Sequence, residues 1–304
     1  MTRACHHEAA DAPKKGSAHR GVVSFGARSK ADELTELACL VLGSRAGMSK
    51  ELTGRVALVT GVGRRAGIGA AIARELAGAG ANVLVSFFRE FDEAQAWGAD
   101  AEMPESLLAE LRPHVNAHAC EMDLADPSSA EALIARAVSL FGTVDILINN
   151  AAHWEAGGID RVDASQLDRH YRVNVRASVL LAAEFLRGRR PEIPGRIINI
   201  TSGQGGGPMP GELAYAVTKA TLDAMTVSLG AELAGSGVTV NAIDPGPTDT
   251  GWMSEAVKSE LRRRSPAGLL AVPADTARVV RFLASDLASN VTGSVLRVSP
   301  MPNH

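Results

Sequence analysis

Short apolar runs alternate with alanine-rich runs along this 304-residue chain from Arg55 onward. The apolar runs are nearly continuous rather than interrupted at every second position, which is typical of strands buried on both faces. The alternation predicts an α/β fold, a single doubly wound parallel sheet with helices on both faces, which binds ligands at the carboxyl ends of its strands. The predicted strands span residues 55–60, 82–88, 114–124, 144–150, 195–202, 237–246 and 293–299. The predicted helices span residues 66–80, 127–142, 164–187, 211–234 and 273–285, and residues 89–104 are predicted to be an irregular connection.

Composition argues against several other classes of protein. The formal net charge of −3 provides no bulk attraction to nucleic acid or to an anionic membrane. No apolar run approaches the roughly 20 residues that cross a bilayer, and the first residues lack the pattern of a secretory signal. The cysteines, Cys5, Cys39 and Cys120, are few and far apart, so we predict no disulfide framework. We therefore expect a cytoplasmic protein with no nucleic-acid or membrane partner.

The first 47 residues differ from the rest of the chain. Residues 1–21 are polar, small and aperiodic, and residues 31–43 could form a short amphipathic helix. We predict a disordered N-terminal extension at 1–47, followed by one domain at 48–304. Met48 opens the compact part, which is consistent with a leader or an over-long gene prediction upstream. The Cys5-His6-His7 run lacks a fourth ligand nearby, so we predict no metal site.

The segment "TGVGRRAGIG", residues 60–69, follows the first predicted strand and opens the first predicted helix. Glycines at this position let the backbone approach a pyrophosphate, and the amide groups of the first helical turn then face it. The alternative is an ordinary flexible turn between a strand and a helix. The strand-loop-helix context favours a dinucleotide site.

A second motif, "YAVTK", places Tyr215 and Lys219 four residues apart on a predicted helix, so both side chains share one face. An ammonium group beside a phenol is expected to lower the phenol pKa from its usual value of about 10. A tyrosine tuned in this way can exchange a proton with an alcohol or a ketone. Surface helices also carry such pairs for solubility, so this motif alone is a weak signal.

These motifs together resemble the short-chain dehydrogenase/reductase family, because two more residues match at family spacing. Ser202 precedes Tyr215 by thirteen positions, and Asn174 lies in "YRVNVRAS". The resemblance runs from about residue 52 to residue 298 and is closest to members similar to 3-oxoacyl-acyl-carrier-protein reductases. Two features depart from the family pattern. The glycine loop is two residues longer than usual, and the C-terminus lacks the usual Asp-Gly-Gly.

The resemblance implies a Rossmann fold and an NAD(P)-dependent oxidoreductase that reduces a ketone, 3-oxoacyl-like or another apolar carbonyl, to a secondary alcohol or catalyses the reverse. It implies that Tyr215 is the acid/base and that Ser202 polarises the substrate oxygen. It also implies that Lys219 tunes Tyr215 and binds the nicotinamide ribose, while Asn174 holds a water in the proton relay. The alternatives are a catalytically idle dinucleotide-binding sensor, or a dehydratase or epimerase of the same fold.

The expected cofactor contacts come from the glycine loop, the strand ends and the catalytic pair. They are Thr60, Gly61, Arg64, Arg65, Gly67, Ile68, Gly69, Arg89, Asp123, Leu124, Asn149, Ala151, Tyr215, Lys219, Pro245, Gly246, Thr248 and Thr250.

Phe87 occupies the position at which NAD-binding members carry an acid, and the nearest carboxylate in sequence is Glu90. Arg64, Arg65 and Arg89 could bind a 2′-phosphate, although exposed arginines often only face solvent. We predict NADP(H) as the preferred cofactor, with NAD(H) as a possible one.

The substrate is expected to be a small-molecule carbonyl or alcohol. Five residues on loops after strands could form its binding site or cap the core or an interface: His153, Trp154, Met209, Trp252 and Met253. The family resemblance also implies a homo-oligomer, a dimer or a tetramer.

Overall fold

The computed structural model of the chain describes residues 50–95, 97–202 and 207–300. The predicted extension at 1–47 and the domain boundary at residue 48 lie outside these ranges. Cys5 and Cys39 lie outside them too. Within the described ranges, no helix is long and apolar enough to span a bilayer.

Seven parallel strands form one sheet in the order β3-β2-β1-β4-β5-β6-β7. The strands are β1 (Val56–Val59), β2 (Asn82–Phe87), β3 (Ala117–Glu121), β4 (Ile146–Asn149), β5 (Gly195–Ile200), β6 (Val238–Asp244) and β7 (Val295–Arg297). The strand order reverses between β1 and β4, so the loops after these two strands run to opposite sides and leave a crevice between them. The predicted doubly wound parallel sheet is confirmed.

The helices are α1 (Ile68–Gly78), α2 (Arg89–Glu93), α3 (Glu105–Leu111), α4 (Ser129–Phe141), α5 (Ala164–His170), α6 (Ser178–Gly188), α7 (Leu213–Glu232), α8 (Glu255–Arg264) and α9 (Pro273–Ala284). A π-helical segment, Tyr171–Ala177, joins α5 to α6, and a 3₁₀ turn, Asp286–Ala288, follows α9. The connection at 89–104 therefore contains the short helix α2, and α3 and α8 were not predicted from the sequence.

Alternate strand residues pack against two helical layers. Val59, Val83 and Ile148 share one core with α1, α3 and α9. Leu58, Leu84 and Leu147 face the opposite way and pack with α4 and α6. Because both faces of the central strands are covered, most of their residues are apolar, as in β1 (VALV) and β4 (ILIN).

Charged side chains tie together the amino ends of the central strands. Asp145, whose side chain is 1% exposed, accepts hydrogen bonds from the backbone N–H of Val56 (2.9 Å) and from Thr143 Oγ1 (3.2 Å). Its carboxylate also pairs with Arg55 Nε (4.0 Å) and with Arg190 Nη2 (3.7 Å). This charged cluster lies at the end of the sheet opposite to the strands' carboxyl ends.

Candidate active site

A cleft of about 900 Å³ opens at the carboxyl ends of the strands. Thr60, at the end of β1, lies beneath its floor. Its hydroxyl donates to the carbonyl of Ile148 (3.1 Å) and accepts from the backbone N–H groups of Asn150 (3.0 Å) and Ala151 (3.1 Å). Thr60 is 1% exposed and is not among the cleft-lining residues. In this structure its side chain joins β1 to the loop after β4, and its contact with a cofactor stays a prediction.

The glycine loop packs directly against the loop after β4. Gly61 has φ +72°, and a Cβ there would lie 2.5 Å from the Cα of Ala151. A Cβ on Gly69 would lie 2.7 Å from Asn150 Nδ2. Side chains are therefore excluded at both positions, and the bare backbone lines the cleft.

Helix α1 begins where this loop ends. Its N-cap, Gly67, is extended (φ −77°, ψ 159°), and Gly67, Ile68 and Gly69 all line the cleft. The unpaired amide groups of a helical first turn attract anions. The loop and the helix together fit the pyrophosphate of a dinucleotide.

One of the three arginines that were expected at a 2′-phosphate lines the cleft. Arg64 donates to the backbone oxygen and to Oγ1 of Thr250 (both 3.3 Å), and its guanidinium lies 4.6 Å from the centroid of the Trp97 ring. Burial lowers the pKa of Arg64. It thus bridges the glycine loop and the segment after β6.

The other two arginines point elsewhere in this structure, and their contact with a 2′-phosphate stays a prediction. Arg65 pairs with Glu110 on α3, and Arg89 Nη2 donates to the backbone oxygen of Met103 (3.0 Å). Neither lines the cleft. Both acceptors, Glu110 and the backbone oxygen of Met103, lie in the connection between β2 and β3.

Residues of that connection line the cleft without having been predicted to do so. Asp92 lies against Gly63 of the glycine loop and accepts a hydrogen bond from Trp97 Nε1 (3.4 Å). Burial raises the pKa of the Asp92 carboxyl. Phe87 and Glu90 also line this side. Phe87 was predicted at the position of the acid in NAD-binding members, with Glu90 as the nearest carboxylate, whereas Asp92 and Trp97 were not predicted in this wall.

Asp123 and Leu124, two of the predicted cofactor contacts, follow β3 and line the cleft. Asn149 does not. Its Nδ2 donates to Asn199 Oδ1 (2.9 Å), and it is 3% exposed, so it is an internal bridge between β4 and β5. The next two residues, Asn150 and Ala151, line the cleft instead.

The turn after β6 forms the far wall. Pro245, Gly246, Thr248 and Thr250 all line the cleft. The Thr248 hydroxyl donates back to the carbonyl of Pro245 (3.0 Å), which closes the turn. These four predicted cofactor contacts are therefore together on this wall.

Tyr215, Lys219 and Ser202 meet on the same cleft. Tyr215 and Lys219 lie one turn apart on α7, and Ser202 follows β5. Ser202 acts on Tyr215 in the direction that lowers the pKa of the phenol. Lys219 Nζ donates to the carbonyl of Ile200 (2.7 Å) and lies 5.8 Å from the centroid of the Tyr215 ring.

Burial dominates the electrostatics of this pair. It raises the pKa of Tyr215 to about 12, against the opposite effect of the Ser202 hydrogen bond. It lowers the pKa of Lys219 to about 8, against the opposite effect of Asp223. Desolvation of the phenolate thus sets the direction of the Tyr215 pKa shift in this structure, and the effect of Lys219 on the phenol stays a prediction.

Asn174 lies in the π-helical segment, is fully buried and does not line the cleft. Its Nδ2 donates to the carbonyl of His153 (3.0 Å) and to Thr218 Oγ1 (3.0 Å), and its Oδ1 accepts from the backbone N–H of His153 (2.7 Å). It thus links the loop after β4 to the residue preceding Lys219. Its role toward a water stays a prediction.

Of the five residues predicted for the substrate site, four line the cleft and one does not. His153, Trp154, Met209 and Trp252 line the cleft, whereas Met253 does not and is 6% exposed.

Comparisons with known proteins agree with this geometry. A family model described as enoyl-(acyl carrier protein) reductase matches residues 61–299. The chain belongs to the short-chain dehydrogenase/reductase family. The uncharacterized oxidoreductase YjdA of Bacillus subtilis is 42% identical to this short-chain dehydrogenase/reductase over 80% of the chain and 94% of YjdA. The 3-oxoacyl-(acyl-carrier-protein) reductase FabG of Aquifex aeolicus is 35% identical over 83% of the chain and 98% of FabG.

Among solved structures, a short-chain dehydrogenase from Burkholderia cenocepacia in complex with NADP has a TM-score of 0.73 and 31% identity, and covers 83% of this chain and 98% of that one. The family model and the relatives carry different substrate names. Together they establish the Rossmann-like fold and an oxidoreductase of the short-chain type.

Proposed function

We propose that this short-chain dehydrogenase/reductase interconverts a ketone and a secondary alcohol with NADP(H), and that Tyr215 is the acid/base. The observation that carries the proposal is that Ser202, Tyr215 and Lys219 line the same cleft as the glycine loop. When bound, the nicotinamide supplies or accepts the hydride. The glycine loop, the start of α1 and the turn after β6 would hold the dinucleotide.

Each side chain then has one task. The Ser202 hydroxyl hydrogen-bonds the carbonyl oxygen, and the Tyr215 hydroxyl donates its proton to that oxygen as negative charge develops. Since burial raises the pKa of Tyr215, the phenol carries this proton at neutral pH. The Lys219 ammonium, buried behind Tyr215, favours a negative phenolate once the proton has left.

Replacing Tyr215 with Phe tests the mechanism. The variant should lose about 100-fold or more of kcat/KM for ketones and β-ketoesters, because it removes the proton donor. NADPH should still bind. The consumption of NADPH and the NADPH dissociation constant measure the two effects.

Tyr171→Phe is the matched control, because Tyr171 is 51% exposed and does not line the cleft. It should behave as the wild type. Full activity of Tyr215→Phe would remove Tyr215 from the mechanism. A wild type that binds NADPH and turns over no carbonyl would favour the idle sensor, or a dehydratase or epimerase.

We propose a substrate with an apolar part, 3-oxoacyl-like or another apolar ketone. Trp154, Met209 and Trp252 line the cleft and support this class. The name of the Aquifex aeolicus relative supports it as well.

We also propose that NADP(H) is preferred over NAD(H). Arg64 is the cleft-lining arginine among the three expected ones, and a guanidinium binds a phosphate through charge-assisted hydrogen bonds. The similar structure from Burkholderia cenocepacia is a complex with NADP. Glu90 and Asp92 line the same region and oppose an added phosphate, so the preference depends on Arg64.

Arg64→Gln should therefore weaken NADPH binding about tenfold or more and NADH binding much less. Titration calorimetry with both cofactors, at low and high salt, measures this, and the wild-type preference should shrink as salt rises.

Arg65→Gln is the control for this experiment, because it changes an adjacent residue that pairs with Glu110 outside the cleft. It should leave the ratio of the two affinities unchanged. If Arg64→Gln weakened NADPH and NADH binding equally, Arg64 would contact a part of the cofactor that both molecules contain. Equal wild-type affinities would refute the NADP(H) preference.

We further propose a homo-oligomer, a dimer or a tetramer. Apolar side chains that are about half exposed on α6 and α7 support it: Val179, Val217 and Val227.

A further inference from the structure

Next to the proposed catalytic residues, a cluster of polar side chains holds the imidazole of His153 in the wall of the cleft. His153 lines the cleft, and its side chain is 15% exposed. Asn174 holds both of its backbone groups, and the same amide bonds Thr218 next to Lys219. His153 is thereby tied to the helix that carries the reacting groups.

The ring of His153 is held as firmly as its backbone. It lies 5.4 Å from the ring of Phe91 and 4.9 Å from that of His170, which it meets edge-on at 88°. Its Nε2 lies 2.6 Å from Glu155 Oε1. Arg169 grips the same carboxylate through Nε to Oε1 (2.6 Å) and Nη2 to Oε2 (2.8 Å).

These contacts fix the direction of the hydrogen bond to His153. The bidentate Arg169 lowers the pKa of Glu155 to about 2, so Glu155 is a carboxylate and can only accept. Nε2 of His153 must therefore carry the hydrogen. In the neutral ring, Nδ1 is then a lone-pair acceptor.

The neighbouring His170 has no such free atom. Its Nδ1 lies 2.8 Å from the carbonyl of Gln166, and its Nε2 accepts from the backbone N–H of Glu155 (3.2 Å). By contrast, Nδ1 of His153 has no hydrogen-bond partner among residues 50–95, 97–202 and 207–300. Within those ranges it is not one of the buried side-chain atoms left unsatisfied either, so it is accessible from the cleft.

We propose that His153 is a specificity-determining residue whose Nδ1 accepts a hydrogen bond from a hydroxyl group of the carbonyl substrate. This inference rests on the proposed function and narrows its substrate class to hydroxyketones that also carry an apolar part. A binding group whose rotamer and tautomer are fixed by its neighbours makes its hydrogen bond at little entropic cost. A substrate without a donor leaves that acceptor unpaired when the cleft closes around it.

Two substrates of similar size test the donor directly: the γ-hydroxy and γ-methoxy derivatives of ethyl acetoacetate, with NADPH. The wild type should favour the hydroxy compound about tenfold in kcat/KM. His153→Gln keeps an amide donor for Glu155 and lacks a group at Nδ1, so the ratio should fall to about one. His153→Asn keeps a polar atom near the Nδ1 position and loses the Glu155 contact, so it should retain part of the ratio.

His114→Gln is the matched control, because His114 is exposed before β3 and does not line the cleft. It should keep the wild-type ratio. A wild-type ratio of about one, or an undiminished ratio in His153→Gln, would overturn the inference while leaving the proposed function intact. Even if the variants misfold, the ratio of the two kcat/KM values in the wild type tests the inference. Turnover of neither compound, nor of any other ketone, would overturn both proposals.

Discussion

Lys219 combines a proposed catalytic role with an unfavourable location. The side chain is 2% exposed, and its ammonium donates to the carbonyl of Ile200. Burial lowers its pKa from 10.5 to about 8. The folded state therefore binds the proton more weakly than the unfolded state does, and holding a charged Lys219 reduces stability.

The sign of the pH dependence follows. Between pH of about 8 and 10.5 the unfolded chain binds more protons at Lys219 than the folded chain, so this residue's contribution to stability improves as pH rises through that window. Below it, the cost is constant. Relative to Lys219→Met, the wild type should gain up to about 3 kcal/mol in free energy of unfolding across the window.

Urea unfolding of both proteins at a series of pH values measures this difference, and groups common to both proteins cancel. A difference that does not change with pH would mean that Lys219 titrates at its ordinary value in the folded state.

At the level of side chains, the sequence predicted the positions whose spacing is set by one element. Tyr215 and Lys219 share a helix face, and the glycines follow a strand, so their locations could be derived from local pattern alone. The direction of a long side chain could not. Arg65 turns to Glu110, which lies on a helix that was not predicted. The bonds of His153 to Glu155 and Asn174 likewise depend on tertiary contacts.

Among the elements, buried strands were the easiest to predict and the polar and irregular helices the hardest. Each strand prediction contains the observed strand, because burial on both faces demands unbroken apolar runs. Helix α8 has one buried residue, Leu261, and ends in three arginines, so it shows little apolar periodicity. Helix α3 was not predicted, because its seven residues lie between the connection at 89–104 and the strand predicted at 114–124.

The π-helical segment Tyr171–Ala177 lies within the single helix predicted at 164–187. A π turn holds one more residue than an α turn, and no spacing of apolar residues marks it. Asn174 lies within this segment and reaches both His153 and Thr218. The irregularity thus occurs where three elements are joined beside the proposed active site, as is frequent for π turns.

At the scale of the whole molecule, one end of the sheet carries the cleft and the other end carries a cluster of charged side chains. The cleft lies at the carboxyl ends of the strands, whereas the Asp145 cluster lies at the amino ends. A buried carboxylate with cationic and backbone partners cannot lose its charge without leaving those partners unpaired. This cluster should therefore affect stability without affecting the chemistry of the cleft.

Asp145→Asn should lower the free energy of unfolding by about 3–5 kcal/mol. Because Asp145 is far from the cleft, the NADPH dissociation constant should be unchanged. Urea unfolding and calorimetry measure the two quantities. Asp160→Asn, at a side chain that is 74% exposed, is the control and should alter neither. A change in NADPH affinity without a loss of stability would contradict this separation.

The same separation bears on laboratory evolution of the protein. Amino-acid changes confined to the loops after β2, β4 and β6 alter the walls of the cleft and leave the ion pairs at the opposite rim untouched. Variant collections restricted to those loops should contain a high proportion of folded members. Gly61 and Gly69, which follow β1, should be kept fixed when new substrates are sought, since any larger residue there collides with the neighbouring backbone or with Asn150.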